Sequence, residues 1–208
     1  GTTSAPYSSG GYNVAVGSEA LKHFTTAKRM VAIGYEAMTD VTTGQDSVAI
    51  GYQAGYYNSG SYSVSIGMNA GVYPSAGYNT YIGYYAGNTS RGNSNVAIGN
   101  SAMRYKNAGN QNVVIGNTAG EQLLGTESTI VGSQAGRHAT GSYNTFVGMS
   151  AGYGGTTSAP YSSGQYNTAL GYKSLDAFTT GEYNVAIGPH ALGTSTTGGS
   201  NIAIGPYA

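Results

Sequence analysis

Histidine, carboxylate and tyrosine are the side chains through which this 208-residue chain could do acid–base, metal or ligand chemistry, since it has no cysteine. The three histidines, His23, His138 and His190, stand far apart. His23 and His138 occupy the same place in a short repeat, but they stand seven repeats apart. Within one chain they cannot share a metal, which needs several converging ligands, or serve one nucleophile. The carboxylates are Asp40, Asp46, Asp176, Glu19, Glu36, Glu121, Glu127 and Glu182. Only Glu19 and Glu36 hold one offset in adjacent repeats, and two solvated side chains are preferred there to a weak cation site. The Gly-Gly-x-Gly-x-Asp pattern of calcium-binding repeats is missing. Gly152 to Gly155 is glycine-rich, but a phosphate loop opens a helix and no helical periodicity follows. No catalytic residue, metal site or cofactor is expected.

Tyrosine is abundant, with 20 residues. Tyr35, Tyr52, Tyr84 and Tyr172 share one repeated position, and Tyr12, Tyr62, Tyr78, Tyr143, Tyr166 and Tyr183 another. Rings stacked one per repeat would form a rigid amphipathic ladder, each contact worth roughly 0.5–1.5 kcal/mol. An exposed ladder suits glycans or protein surfaces; a packed one only holds neighbouring repeats together. Packing is the expected use. The pairs Thr25-Thr26, Thr42-Thr43, Thr179-Thr180 and Thr196-Thr197 also share a position, but the interruption across the middle of the chain argues against an ice-binding array.

The element that must position all of these is a phrase of one polar residue, three mostly apolar ones and a glycine. Its closing glycines are Gly17, Gly34, Gly51, Gly67, Gly83, Gly99, Gly116, Gly132, Gly148, Gly171, Gly188 and Gly205. The gaps are 16 or 17 residues, except for one of 23 before Gly171. So short a period predicts a solenoid, in which one coil cannot bury its apolar face alone.

Within each phrase the first and third apolar positions are mainly Val, Ile and Thr, as at Val96 and Ile98, which favours a strand. Alternation places both on one face, and stacking would line them into the core. The residue between them faces the other way and is mostly Ala: Ala15, Ala32, Ala49, Ala97, Ala169, Ala186 and Ala203. An apolar second face predicts cover from neighbouring chains, so these alanines are the expected interchain contact. Glycine recurs three residues before the polar position, as at Gly92 and Gly125, and predicts a positive φ there. After the closing glycine, x-x-Ala followed by Gly, Leu or Met fits a tight corner or a second, closely packed strand. The polar residue is Asn in eight coils, Ser in three and Met30 in one. An Asn ladder running along the rod and an Asx turn within each coil both remain open.

Composition narrows the role. Glycine numbers 35, charged residues make up 8% against about a quarter in ordinary domains, and the formal net charge is zero. Nucleic acid is excluded as a partner for want of a basic patch. No run of 18 apolar residues offers a membrane-spanning helix. The first residues already follow the repeat and the last stop partway through a coil, so both ends are expected to continue into a longer chain.

The phrase Asn-Val-Ala-Ile-Gly-x-x-Ala, intact from Asn95 to Ala102 and from Asn184 to Ala191, resembles the head repeat of YadA-like trimeric autotransporter adhesins. Related repeats occur in phage tail fibres and other secreted fibres. The resemblance implies an all-β fold: a left-handed parallel β-roll, a β-solenoid of twelve 16–17-residue coils. It also implies a homotrimer, with the small middle residue near the contact between chains. The family's repeats are commonly shorter, which implies larger loops here. Tyr81, Ile130 and Phe146 are bulky at the usually small position.

One single domain spans residues 1–208, with a longer period inside it. The decapeptide Gly1 to Gly10 recurs letter for letter as Gly155 to Gly164, 154 residues on. One nine-coil super-repeat is therefore followed by three coils of the next. The second decapeptide falls in the 23-residue gap, where its Pro, Ser and Gly content predicts a loop. Pro160 and Tyr161 are its candidate surface-binding residues. The expected role is a structural or adhesive extracellular fibre segment, on a cell surface or a virion. Its expected partners are two further copies and a cell-surface glycan or protein receptor. A self-assembling filament or matrix protein without a receptor is the alternative.

Overall fold

A computed structural model describes residues 9–58, 60–73, 76–105, 108–155 and 162–208. Each glycine-closed phrase forms a three-residue strand: β1 Val14–Val16, β2 Val31–Ile33, β3 Val48–Ile50, β4 Val64–Ile66, β5 Thr80–Ile82, β6 Val96–Ile98, β7 Val113–Ile115, β8 Thr129–Val131, β9 Thr145–Val147, β10 Thr168–Leu170, β11 Val185–Ile187 and β12 Ile202–Ile204. Every strand pairs in parallel with its sequence neighbours, giving one 12-stranded sheet in the order β1 to β12. The register never slips, as in Val96↔Val113, Ala97↔Val114 and Ile98↔Ile115. The chain is an all-β solenoid with one strand per coil and no helix among the described residues. At about 4.8 Å per strand the sheet runs about 53 Å.

The remainder of each coil is turn, so the small residues after the closing glycine make a tight corner and not a second strand. These turns still hydrogen-bond from coil to coil: Met38 N–H donates to Ala54 O at 3.0 Å and Met103 N–H to Ala119 O at 3.0 Å. Such bonds need the N–H turned along the rod axis, which left-handed backbone provides. Three places per coil adopt it, as at Tyr166 (φ 56), Lys173 (φ 51) and Leu175 (φ 52), and the third is glycine in six coils, as at Gly152 (φ 55). Each L-residue there costs roughly 1–2 kcal/mol, offset by the bond between coils.

Two expectations are corrected. The recurrent glycine before the polar position has no positive φ; what it needs is room. A Cβ on Gly92 would lie 2.0 Å from the carbonyl oxygen of Gly109 in the next coil. The second correction reverses the faces of the strands. The middle residue points inward: Ala32, Ala49, Tyr81, Ala97, Val114, Ile130, Phe146, Ala169 and Ala186 are fully buried within the one chain. The first and third residues face outward. The reason is width. The corner alanines, such as Ala102 and Ala135, are themselves fully buried against the strand, which leaves each coil space for about one large interior side chain.

That space is filled from either side. Where the middle residue is Ser65, Tyr81, Val114, Ile130 or Phe146, the corner position four after the closing glycine is Gly71, Gly87, Gly120, Gly136 or Gly152. Where the middle residue is Ala15, Ala32, Ala97, Ala169 or Ala186, it is Leu21, Met38, Met103, Leu175 or Leu192. Ala49 with Gly55 breaks the rule, and there buried Asn58 approaches the vacant corner. The core divides at that point into two apolar clusters, one ending at Ala54 and the other starting at Ala70.

The polar position settles as a ladder. Its side-chain oxygen accepts the backbone N–H of the equivalent residue one coil on: Asn79 to Asn95 at 2.9 Å, Asn95 to Asn112 at 2.9 Å, and Asn167 to Asn184 at 3.0 Å. The amide nitrogen donates to the carbonyl of the next coil's crowded glycine, as Asn167 does to Gly181 at 2.9 Å. Ser63 and Ser128 carry the same acceptor role.

Candidate functional site: the outer sheet face and its aromatic rows

With the middle residues inside, the outer face of the sheet carries two rows of side chains that are β-branched everywhere but at Leu170. Twenty of these 24 positions are Val, Ile or Leu, and the others are Thr80, Thr129, Thr145 and Thr168. Val14, Val16, Ile33, Ile50, Val113, Leu170, Ile202 and Ile204 are exposed, and most of the others are half-buried. A strip about 53 Å long and about 10 Å wide amounts to some hundreds of Å², around the upper limit a monomer commonly leaves to solvent.

The seven alanines expected at an interchain contact do not lie on this strip. Ala32, Ala49, Ala97, Ala169 and Ala186 are fully buried, Ala203 is 9% exposed, and only Ala15, in the first coil, is open. Any surface offered to another chain passes instead to their neighbours in the strands. Sequence reasoning assigned the alternation correctly and the sides wrongly. The exchange of bulk between strand and corner was the signal that would have placed the middle residue inside. Pro160 and Tyr161 lie outside the described residues. The flanks of their loop stay in coil register: Gly155 N–H donates to Phe178 O at 2.8 Å and Ser162 N–H to His138 O at 3.1 Å.

Exposed tyrosines stand two residues before and two after the strands. In the row before them, partners couple coil to coil. Tyr62 stacks on Tyr78 at 5.0 Å, and Tyr143, Tyr166 and Tyr183 form a continuous stack. In the same row Arg29 grips Asp46 through two bonds of 2.6 and 2.7 Å. That bond to Arg29 holds the Asp46 carboxyl below its ordinary pKa. In the row after the strands Tyr35 stacks on Tyr52 at 5.4 Å. Stacking turns the ring faces toward each other, so mainly edges and hydroxyls are left for a partner. That arrangement opposes the face-on stacking of sugars.

Several other ionisable groups are paired along the coils. His23 bonds Asp40, Gln53 bonds Glu36 at 2.5 Å, and Arg137 reaches Glu121 at 2.7 Å. Glu19 holds Lys22 at 3.0 Å, so Glu19 and Glu36 are directed to separate partners. His138 is buried against Tyr153, its ring centre 4.9 Å away, and His190 stacks on Tyr207 at 4.9 Å. Burial, with Arg137 beside it, lowers the His138 pKa. Tyr81 is wholly interior, and burial pushes its phenol up to about 12. Among the described residues no three His, Asp or Glu converge as metal ligands, and no helix is long and apolar enough to cross a membrane. The cleft between Gln134, Ser150, Tyr153, Lys173 and Asp176 is about 240 Å³ and open to solvent. It brings one lysine and one carboxyl together without a nucleophile and base in contact. No protein-family model matches this chain, and neither the curated proteins nor the solved structures contain a significant match to it.

Proposed function

We propose that the chain is a segment of an extracellular fibre of the YadA-like kind, in which three copies associate through the outer Val/Ile face of their sheets into one rod. The left-handed roll and the threefold state come from the resemblance of the Asn-Val-Ala-Ile-Gly-x-x-Ala phrase. The observation that carries the reading is the exposed apolar strip on a rod whose interior is already complete. Covering that strip in one partner's cleft would leave an equal strip on the partner exposed. A closed, symmetric association removes all of them from water at once. A rod with so little chemistry on its flanks serves as a spacer or display surface for attachment, to a cell-surface glycan or protein receptor. Replacing Ile98 by Asp tests this: the variant should fold as a solenoid and fail to associate, since a charge on the contact would be buried unpaired. If Ile98→Asp associates as the parent does, the strip is not the contact.

A second reading, a self-assembling filament without a receptor, is favoured by the identical decapeptides 154 residues apart. Tandem nine-coil units would extend one rod without limit. A polymer of open-ended length on electron micrographs of the parent protein would select it.

A further inference from the structure

We propose that the Tyr143–Tyr166–Tyr183 stack is an oxidative cross-linking site, at which a one-electron oxidant joins neighbouring rings of one chain as dityrosine. The three tyrosines hold the same place in consecutive coils, two residues before β9, β10 and β11. The rings of Tyr143 and Tyr166 are 4.8 Å apart and inclined by 4°, and those of Tyr166 and Tyr183 are 5.0 Å apart and inclined by 4°. Their exposures are 40%, 45% and 57%, so a diffusing oxidant reaches the ring edges.

The backbone fixes the encounter. All three residues are left-handed, with φ of 60°, 56° and 57°, a conformation in which bulky side chains are uncommon and glycine is least strained. The N–H of Tyr166 donates to Ser142 O at 3.3 Å, and that of Tyr183 to Gln165 O at 3.1 Å. Coil register therefore keeps the rings in contact. Near-parallel rings on equivalent backbone present like edges to each other, one coil step apart. The χ2 torsion of tyrosine is broad, and rotation about it brings the ortho carbons of neighbours edge to edge.

The chemistry balances with hydrogen peroxide and a haem peroxidase as the oxidant. Each phenol gives up one electron and its hydroxyl proton. The two phenoxyl radicals pair at their ortho carbons in one new C–C bond. The hydrogen on each joined carbon then moves to the ring oxygen as aromaticity returns. The two electrons and two protons lost reduce one hydrogen peroxide to two waters. A bond from Tyr143 to Tyr166 also closes the 23-residue gap that holds the second decapeptide, and so staples the longest interruption in the rod.

Cleavage after Arg137 and Lys173 makes the site readable, because trypsin releases 138–173 with Tyr143 and Tyr166, and 174–208 with Tyr183. The full chain is treated with peroxidase and peroxide, run on a denaturing gel, digested and weighed. The expected result is dityrosine fluorescence at the mass of one chain, with two products. One is peptide 138–173 lighter by two hydrogens, and the other is 138–173 joined to 174–208. Tyr166→Phe keeps a ring in the stack and should lose both products; Tyr183→Phe should lose only the joined one. Absence of fluorescence, fluorescence confined to chain-to-chain bands, or both products surviving in Tyr166→Phe would overturn the proposal.

Discussion

The ring of Phe146 occupies the space that a side chain on Gly152 would enter: a Cβ built there lies 2.5 Å from three of its carbons. The two residues belong to one coil, one in the strand and one in the corner, and they share a single interior site. Phe146→Ala should cost about 3–5 kcal/mol, as loss of a buried aromatic ring does. Gly152→Leu alone should also destabilise, by overpacking of about 1–3 kcal/mol and by left-handed strain of about 1–2 kcal/mol. Together they recreate the Ala169 and Leu175 arrangement of the next coil. The double variant should therefore be more stable than the sum of the single effects, by a coupling of about 0.5–3 kcal/mol. Urea unfolding of the four proteins measures it, and strict additivity would refute the shared site.

The Asn ladder yields a second prediction. Asn184 accepts from Asn201 N–H at 3.1 Å and donates to Gly198 O at 2.9 Å. Asn184→Ala should destabilise by about 1 kcal/mol, because it removes both bonds from this buried side chain to the backbone of the last coil, whose Gly198 and Asn201 can turn to water instead. Asn184→Ser should cost less, since Ser63 and Ser128 serve the same acceptor role. Equal losses for the two variants would show that the hydroxyl does not substitute.

Much of this was legible in the sequence. The closing glycines located all twelve strands, and β-branched residues at Val96 and Ile98 named them as strands. Their alternation separated two faces but carried no sign of which was inside, because both are apolar. Convention assigns the larger pair to the core. In this coil the corner alanines come close enough to leave room for about one large interior side chain, so the two flanking residues of the strand take the outer strip. The glycine of the loop, as at Gly92, illustrates a second limit. A periodic glycine reports either torsion or crowding, and spacing alone does not separate them. The inverse sizes of Tyr81 with Gly87 and Ala97 with Met103 were present in the letters and encode the inward direction.

Acid should weaken the fold through His138. Its folded pKa is lowered from 6.5 by burial and by Arg137, with Glu121 opposing. The unfolded chain then binds the proton first as pH falls below 6.5, so stability present above that value declines until the pH passes the lowered folded value. His138→Gln should flatten that part of a stability-against-pH curve measured by thermal melting. An unchanged slope below pH 6.5 in the variant would assign the acid sensitivity elsewhere.

Association through the outer strip is the central claim, and the solution mass tests it most directly. By sedimentation equilibrium the parent protein should weigh three times 21.1 kDa. Ile98→Asp should sediment as a folded single chain with the parent's β-sheet circular dichroism. Ala97→Glu should lose the β-sheet signal itself, because Ala97 is sealed within its own coil. A parent that is a stable 21.1 kDa monomer, or an Ala97→Glu chain that stays folded while only association is lost, would contradict the account.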